Sequence, residues 1–211
     1  FLLLKDFLSD DLINKIEVSI IEHQFFIKTF PELSDVPGNH YLSNLMGLYI
    51  SNFMIFGKYH KETIDVLKQF EEESKEQFLI GGCHFEMAPV YHRLCMDMIA
   101  IVLALKGDVI DGERNSKNEL LNIFQNGVEF CEAISSEHIL PLFGDFDSGH
   151  ILWLGDQARS SEHLSQFANI LVTGKFTGPV HYQTIFLASL ASSEIVNVKE
   201  KEKKDIKTYE K

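Results

Sequence analysis

Twelve consecutive residues, GGCHFEMAPVYH at positions 81–92, hold an unusual number of side chains that can carry or exchange a proton. These side chains belong to Cys83, His84, Glu86, Tyr91 and His92, and Arg93 follows directly. A connection between helices needs only turn residues, and the two glycines with Pro89 would supply them. The polar members of the segment are therefore candidates for binding or catalysis.

Two further segments combine turn residues with polar groups in the same way. PGNHYLSN at 37–44 contains Asn39 and His40, and LFGDFDSGH at 142–150 contains Asp145 and Asp147. Each segment lies between predicted helices, where scaffolds of this kind keep their functional groups. We expect all three segments to open on the same side of a helical array.

Familiar cofactor and metal motifs are absent from the sequence. It contains no GxGxxG, GxxxxGK[ST] or HExxH. HFE at 84–86 begins like a zinc deaminase motif but lacks the P-C-x-x-C that should follow. DFDSG at 145–149 begins like a calcium loop, yet its twelfth position is Asp156 rather than Glu. The three cysteines show no CxxC spacing, which favours thiols over a disulfide framework or a zinc site. We predict no cofactor and no metal.

The composition limits the classes of partner. With 211 residues, 45% of them hydrophobic and 24% charged, the chain resembles ordinary globular proteins. A net charge of -12 argues against nucleic acid as a partner, because phosphate binding depends on a cationic surface. Its apolar runs are too short to cross a bilayer. The chain opens on Phe1 in mid-pattern, so we expect it to be a fragment truncated at its N-terminus.

Apolar periodicity predicts helices almost throughout the chain, and no alternating strand pattern competes with them. The predicted helices span residues 9–30, 40–57, 61–79, 89–105, 116–135, 160–172 and 180–192. In the first of them, Leu12, Ile16, Ile20 and Phe26 are predicted to share one face. Buried helices alternate with half-exposed ones, which indicates a curved array of helical hairpins in one domain over residues 1–195. The charged residues 196–211 are predicted to be a linker.

The three polar segments, in this order and spacing, resemble the helical domain of the heparinase II/III-like polysaccharide lyases. The similar stretches are GNHYLSN, GGCHFEMAPVYHRLCMDMI and PLFGDFDSG. The resemblance implies an all-α fold, an incomplete (α/α) toroid of helical hairpins. It also implies a following β-sandwich domain, which we expect to lie outside this sequence.

The resemblance further implies β-elimination on an acidic polysaccharide that contains uronic acid. Asn39 and His40 match the pair that faces the substrate carboxylate, and Tyr91 matches the catalytic tyrosine. Abstracting the proton beside a carboxylate builds a second negative charge, which neutral donors such as an amide and an imidazole stabilise. A phenol can protonate the leaving oxygen or, as phenolate, abstract the proton. Ser43 departs from the family, in which some members have an acidic residue there.

Other residues of the second segment are expected to line the cleft and contact the substrate: His84, Glu86, His92 and Arg93. A cationic histidine or arginine next to Tyr91 would lower the pKa of its phenol. The β domain of the same protein is expected to contribute a catalytic histidine, and the resemblance implies a periplasmic or secreted location. No nucleic acid and no membrane segment are expected.

Two other functions fit the same residues. A glycoside hydrolase on a similar toroid would use two of Glu86, Asp145 and Asp147 as its carboxylate pair. A carbohydrate-binding or polysaccharide-assembly module would keep the toroid without turnover. Products separate these alternatives, because only a lyase leaves an unsaturated uronate.

Overall fold

The computed structural model describes residues 2–107, 118–145, 151–152, 154, 159–176 and 178–191. These residues form seven α-helices, and a short 3-10 turn, Lys5–Phe7, precedes the first. The helices are α1 (Asp10–Thr29), α2 (Asn39–Phe56), α3 (Lys61–Gln77), α4 (Pro89–Lys106), α5 (Glu119–Ile134), α6 (Glu162–Thr173) and α7 (Tyr182–Ala191). Extended pairing in the described ranges is confined to isolated bridges such as Phe78 with His84.

The predicted all-α class is confirmed, with each predicted helix found within three residues of its expected ends. The toroid arrangement and a following β domain stay predictions. So does the division into a domain over 1–195 and a linker over 196–211, since residues 192–211 lie outside those described. Among the described helices, none is both long and apolar enough to cross a membrane.

Helix α4 is the centre of the molecule and packs against α2, α5, α6 and α7. Its sequence is apolar around most of its circumference, as expected for a helix surrounded by others. Pro89 occupies the first turn, where a missing N–H is tolerated. Gly107 ends the helix in the left-handed conformation that glycine adopts without strain. The first turn of α4 is largely buried, with Pro89, Val90 and His92 packed inside the domain.

Helix α1 packs against α2 through a face that matches the predicted one only in part. Ile16 and Ile20 are partly buried as expected, but Leu12 and Phe26 are 43% and 62% exposed. The inward face instead includes Gln24, which is buried and donates hydrogen bonds to Ser51 and Asn52 on α2. The prediction was wrong for Leu12 and Phe26 because it ranked positions by hydrophobicity, whereas a polar side chain with partners occupies part of the contact.

Candidate active site

A cleft of about 270 Å³ opens where the first turns of α2 and α4 meet. Its lining residues are Glu32, Asn39, His40, Ser43, Asn44, Tyr91, Leu94, Met98 and Ile151. Asn39 and His40 are the first two residues of α2, and Tyr91 is the third of α4. The structure thus brings together the three residues that the sequence predicted to be catalytic.

The described parts of the three polar segments approach one another. Residues 37–44 touch residues 81–92 through a hydrogen-bonded pair, Asn39 with Glu86. Gly144, in the third segment, lies so close to Ala88 that an added Cβ would be 3.1 Å from the alanine Cβ. Asp145 is exposed, and Asp147 lies outside the described residues. The first two segments therefore meet as the sequence indicated, whereas a common opening for all three stays a prediction.

Asn39 is fixed by the carboxylate of Glu86. Its backbone N–H donates to Oε1 at 3.0 Å, and its Nδ2 donates to Oε1 and Oε2 at 3.0 and 2.8 Å. A carboxylate at this position also complements the positive end of the α2 dipole. Gly38 makes the approach possible, because a Cβ there would lie 2.7 Å from Oε1 of Glu86. Glu86 therefore holds the loop against α2 and orients the asparagine amide.

His40 lies at the outer edge of the cleft and pairs with a residue that the sequence analysis missed. Its Nδ1 is 2.9 Å from Oε1 of Glu32, and both side chains are more than 60% exposed. Glu32 is held in turn by its backbone N–H, which donates to Oδ1 of Asn44 at 2.8 Å. Glu32 follows Pro31 in a connection without a motif, so only its proximity to the Asn39–His40 pair along the chain could have suggested it.

His84 is fully buried beneath the cleft rather than displayed in it. Its Nε2 lies 2.8 Å from Oε1 of Gln77, and its Nδ1 accepts from the backbone N–H of Glu86. Gln77 also donates to the carbonyl of Gly38, which connects His84 to the start of α2. Burial lowers the pKa of His84 to about 4, although the nearby Glu86 carboxylate opposes the shift. The ring is therefore neutral at neutral pH.

His92 is equally buried, with 1% of its surface exposed. Its Nδ1 accepts from the backbone N–H of His84, and its Nε2 donates to the carbonyl of Gly127 on α5 at 3.0 Å. Burial lowers its pKa to about 4, which the Gly127 hydrogen bond opposes and the neighbouring His84 favours. These contacts assign the proton of His92 to Nε2 and make the ring a bridge from the 81–92 segment to α5.

Arg93 extends into the interior, beside Asp97 one turn further along α4. Burial lowers the pKa of Arg93, and the Asp97 carboxylate opposes that shift. The same carboxylate lies 2.7 Å from Nε2 of His163 on α6, and both side chains are almost completely buried. Arg93 thus belongs to a buried polar group that joins α4 to α6.

Gly81 and Gly82 turn the chain between α3 and the buried histidines. Both have a positive φ, +95° and +85°, which residues with a side chain seldom adopt. At Gly82 the backbone also passes so close to α5 that an added Cβ would lie 2.2 Å from the carbonyl oxygen of Asn126. The glycine pair thus has a packing role as well as a turn role.

The predicted substrate-contacting residues accordingly divide into two groups. Glu86 is in contact with Asn39, which lines the cleft. His84, His92 and Arg93 are each at most 2% exposed and interact inside the domain, so they support the cleft from behind. Their contact with a substrate stays a prediction. Across the described part of the chain, no three His, Cys, Asp or Glu side chains gather as metal ligands would.

Comparison with known proteins gives one match. A family model described as heparinase II/III N-terminus matches residues 1–167, most of the chain. The matched range includes both the 37–44 and the 81–92 segments. Searches of curated proteins and of solved structures found no match.

Proposed function

Because the chain belongs to the heparinase II/III N-terminal family, whose members are lyases, we propose that it forms the helical half of a polysaccharide lyase site. The substrate is a glycan containing uronic acid, and the reaction is β-elimination. The observation that carries this proposal is the meeting of Asn39, His40 and Tyr91 in one cleft. An amide, an imidazole and a phenol are the groups that such a reaction needs.

Asn39 and His40 bind the uronate carboxylate and stabilise the negative charge that develops when the neighbouring carbon loses its proton. A well-placed donor of this kind contributes about 3 kcal/mol to transition-state stabilisation. Both residues lie in the first turn of α2, where the helix dipole favours a bound anion. Glu86 already accepts hydrogen bonds from Asn39, so the substrate carboxylate competes for the same amide or uses its other hydrogen.

Tyr91 protonates the leaving glycosidic oxygen or, as phenolate, abstracts the proton. The sequence suggested that a cationic His92 would lower the pKa of the phenol, but the pKa of His92 is about 4 and its ring is neutral at pH 7. Positive charge near Tyr91 would then come from Arg93, from a protonated His40 across the cleft or from another domain. A histidine from a following β domain would supply the second proton-transfer group, and an acidic glycan substrate suits a periplasmic or secreted protein.

The test uses the full-length protein and a panel of uronic-acid polysaccharides, including heparan-like and alginate-like polymers. Lyase products are measured by the near-ultraviolet absorbance of the unsaturated uronate. Tyr91→Phe should lower kcat roughly 100- to 10,000-fold while KM changes little, because only the proton-transferring hydroxyl is lost. Tyr59→Phe, at an 83% exposed tyrosine outside the cleft, is the matched control and should retain parental activity.

Three outcomes would contradict the proposal. Tyr91→Phe could retain most of the activity, which would remove the role assigned to the phenol. New reducing ends without an unsaturated product would indicate the hydrolase with its pair among Glu86, Asp145 and Asp147. Binding of the polymers without any product would indicate a carbohydrate-binding or assembly module.

A further inference from the structure

Glu32 is attached at two points to the face of α2 that lines the cleft. Its carboxylate meets Nδ1 of His40 at 2.9 Å, and its backbone N–H donates to Oδ1 of Asn44 at 2.8 Å. His40 and Asn44 are four residues apart, so they are neighbours on that face. All three residues line the cleft with Tyr91. The position of Glu32 relative to His40 is thus fixed by both its backbone and its side chain.

This contact decides where His40 carries its proton. An ionised carboxylate can only accept hydrogen bonds, so the Nδ1 that faces it must hold a hydrogen. A neutral imidazole has a single N–H, which leaves a lone pair on Nε2. Only the doubly protonated ring has an N–H on both nitrogens. His40 therefore presents an acceptor at Nε2 when neutral and a donor when charged.

We propose that Glu32 is a positioning residue that keeps the proton of neutral His40 on Nδ1, so that His40 donates to a substrate carboxylate from Nε2 only after taking up a second proton. The inference rests on the proposed function for the identity of that carboxylate. A lone pair on Nε2 would repel the carboxylate oxygens, whereas an N–H attracts them. Binding of a uronate at this point of the cleft is therefore coupled to protonation of His40. The family resemblance implies a different role for His40, that of a neutral donor.

Few of the described charged or titratable groups face the His40 ring. Glu32, from the connection between α1 and α2, is the carboxylate that faces the His40 ring, and Tyr91 reaches the cleft from α4. Glu86, from the segment before α4, faces Asn39 instead. The Glu32–His40 pair is mostly exposed, so solvent screens its charge and it adds little stability. Its effect is on which nitrogen is protonated.

The tautomer can be measured without any substrate. The protein is labelled with ¹⁵N in its histidine rings and studied by long-range ¹H–¹⁵N correlation at a pH above the histidine titrations. His40→Gln identifies the signal of His40 among the nine histidines. The parent should show the proton on Nδ1. Glu32→Ala should shift this proton toward Nε2, the nitrogen on which exposed imidazoles favour the proton in water. Glu32→Gln should do the same, because its amide can donate as well as accept.

A matched control comes from the second glutamate–histidine pair, in which Glu162 meets His181 through Nε2 at 2.8 Å. Glu162→Gln should leave the His40 signal unchanged, and circular dichroism should show each variant folded. A parent in which neutral His40 carries its proton on Nε2, or a Glu32→Ala variant with an unchanged tautomer, would overturn the proposal.

The coupling to substrate is tested with the full-length protein on any polyuronate that it cleaves. At pH values where His40 is neutral, KM of the parent should rise about tenfold per pH unit, because binding takes up one proton. The KM of Glu32→Ala should rise less steeply with pH. A parent KM that does not change with pH would overturn the coupling. If the tautomers behave as expected but no polyuronate is cleaved, the role of Glu32 stands and the proposed function fails.

Discussion

At the scale of single residues, the segment 81–92 contains side chains with two different tasks. Tyr91 lines the cleft, while His84 and His92 lie beneath it and link α3, α5 and the start of α2. Glu86 connects the two groups, since its carboxylate accepts from Asn39 at the cleft and its backbone N–H donates to Nδ1 of His84. The concentration of titratable residues that made the segment conspicuous is thus partly structural.

The sequence carried enough information to predict that Asn39, His40 and Tyr91 lie together. It did not reveal that His92 is buried. His92 lies three and four residues before Cys95 and Met96, which are fully buried, so helical spacing alone places it on an inward face. That signal is weak for a residue in the first helical turn. Glu32 could not be selected, because its contact with His40 depends on how the loop after Pro31 folds back on α2.

The two buried histidines should make the protein sensitive to mild acid. Their pKa is about 4 in the folded state and 6.5 for an ordinary histidine, so the unfolded chain binds more protons between these values. Their contribution to the free energy of unfolding is fully present above pH 6.5 and is lost as the pH falls toward 4. The loss is at most about 1.4 kcal/mol per pH unit for each histidine.

His92→Gln tests this expectation by urea denaturation at pH 7 and pH 5. The variant is less stable at pH 7 but should lose about 2 kcal/mol less than the parent on acidification, because one proton-linked group is gone. His23→Gln, at an exposed histidine on α1, should behave like the parent. Parallel pH profiles for His92→Gln and the parent would show that His92 is not buried in its neutral form.

At the scale of elements, the helices were predictable because their signals are local. Ser9 caps α1, Pro89 begins α4 and Gly107 ends it, and each can be recognised from a few neighbouring residues. The inward face of α1 was not predictable in the same way. Its contact with α2 includes the polar Gln24, and only the position of Asn52 on the other helix makes that burial favourable.

Gly81 and Gly82 give a prediction at this scale, because only Gly82 lies close to another helix. Gly82→Ala would bring a Cβ to 2.2 Å from backbone of α5, and helix backbone cannot move aside cheaply. Gly81 has a similar φ, but nothing lies within 4 Å of an added Cβ there. Gly81→Ala should therefore cost only the conformational strain of a positive φ, roughly 1 kcal/mol.

Thermal or urea unfolding of the two variants measures this difference. Gly82→Ala should destabilise the protein by at least about 2 kcal/mol more than Gly81→Ala, since the overlap adds to the strain. Equal losses for the two variants would mean that the turn, rather than close packing against α5, explains the second glycine.

At the scale of the whole molecule, α4 joins the candidate site to the rest of the domain. Its first turn carries Tyr91 into the cleft, and its next turns carry Arg93 and Asp97 into the interior. Asp97 meets His163, so a buried polar contact ties α4 to α6. The rigidity of the cleft wall therefore depends on residues that never reach the cleft.

Removal of the Asp97 charge should show how much this contact matters. Asp97→Asn would remove a buried negative charge that acts on Arg93 and weaken the contact with His163, and breaking a buried pair in this way costs about 3–5 kcal/mol. His163→Gln should cost less, because Asp97 would still balance Arg93.

Asp11→Asn is the control, since its pair with Lys15 has side chains 76% and 70% exposed and should contribute below about 1 kcal/mol. Urea denaturation at neutral pH ranks the three variants by the free energy of unfolding. If Asp97→Asn proved no more damaging than Asp11→Asn, the buried group would not hold α4 to α6, and the apolar contacts of α4 alone would have to keep Tyr91 in place.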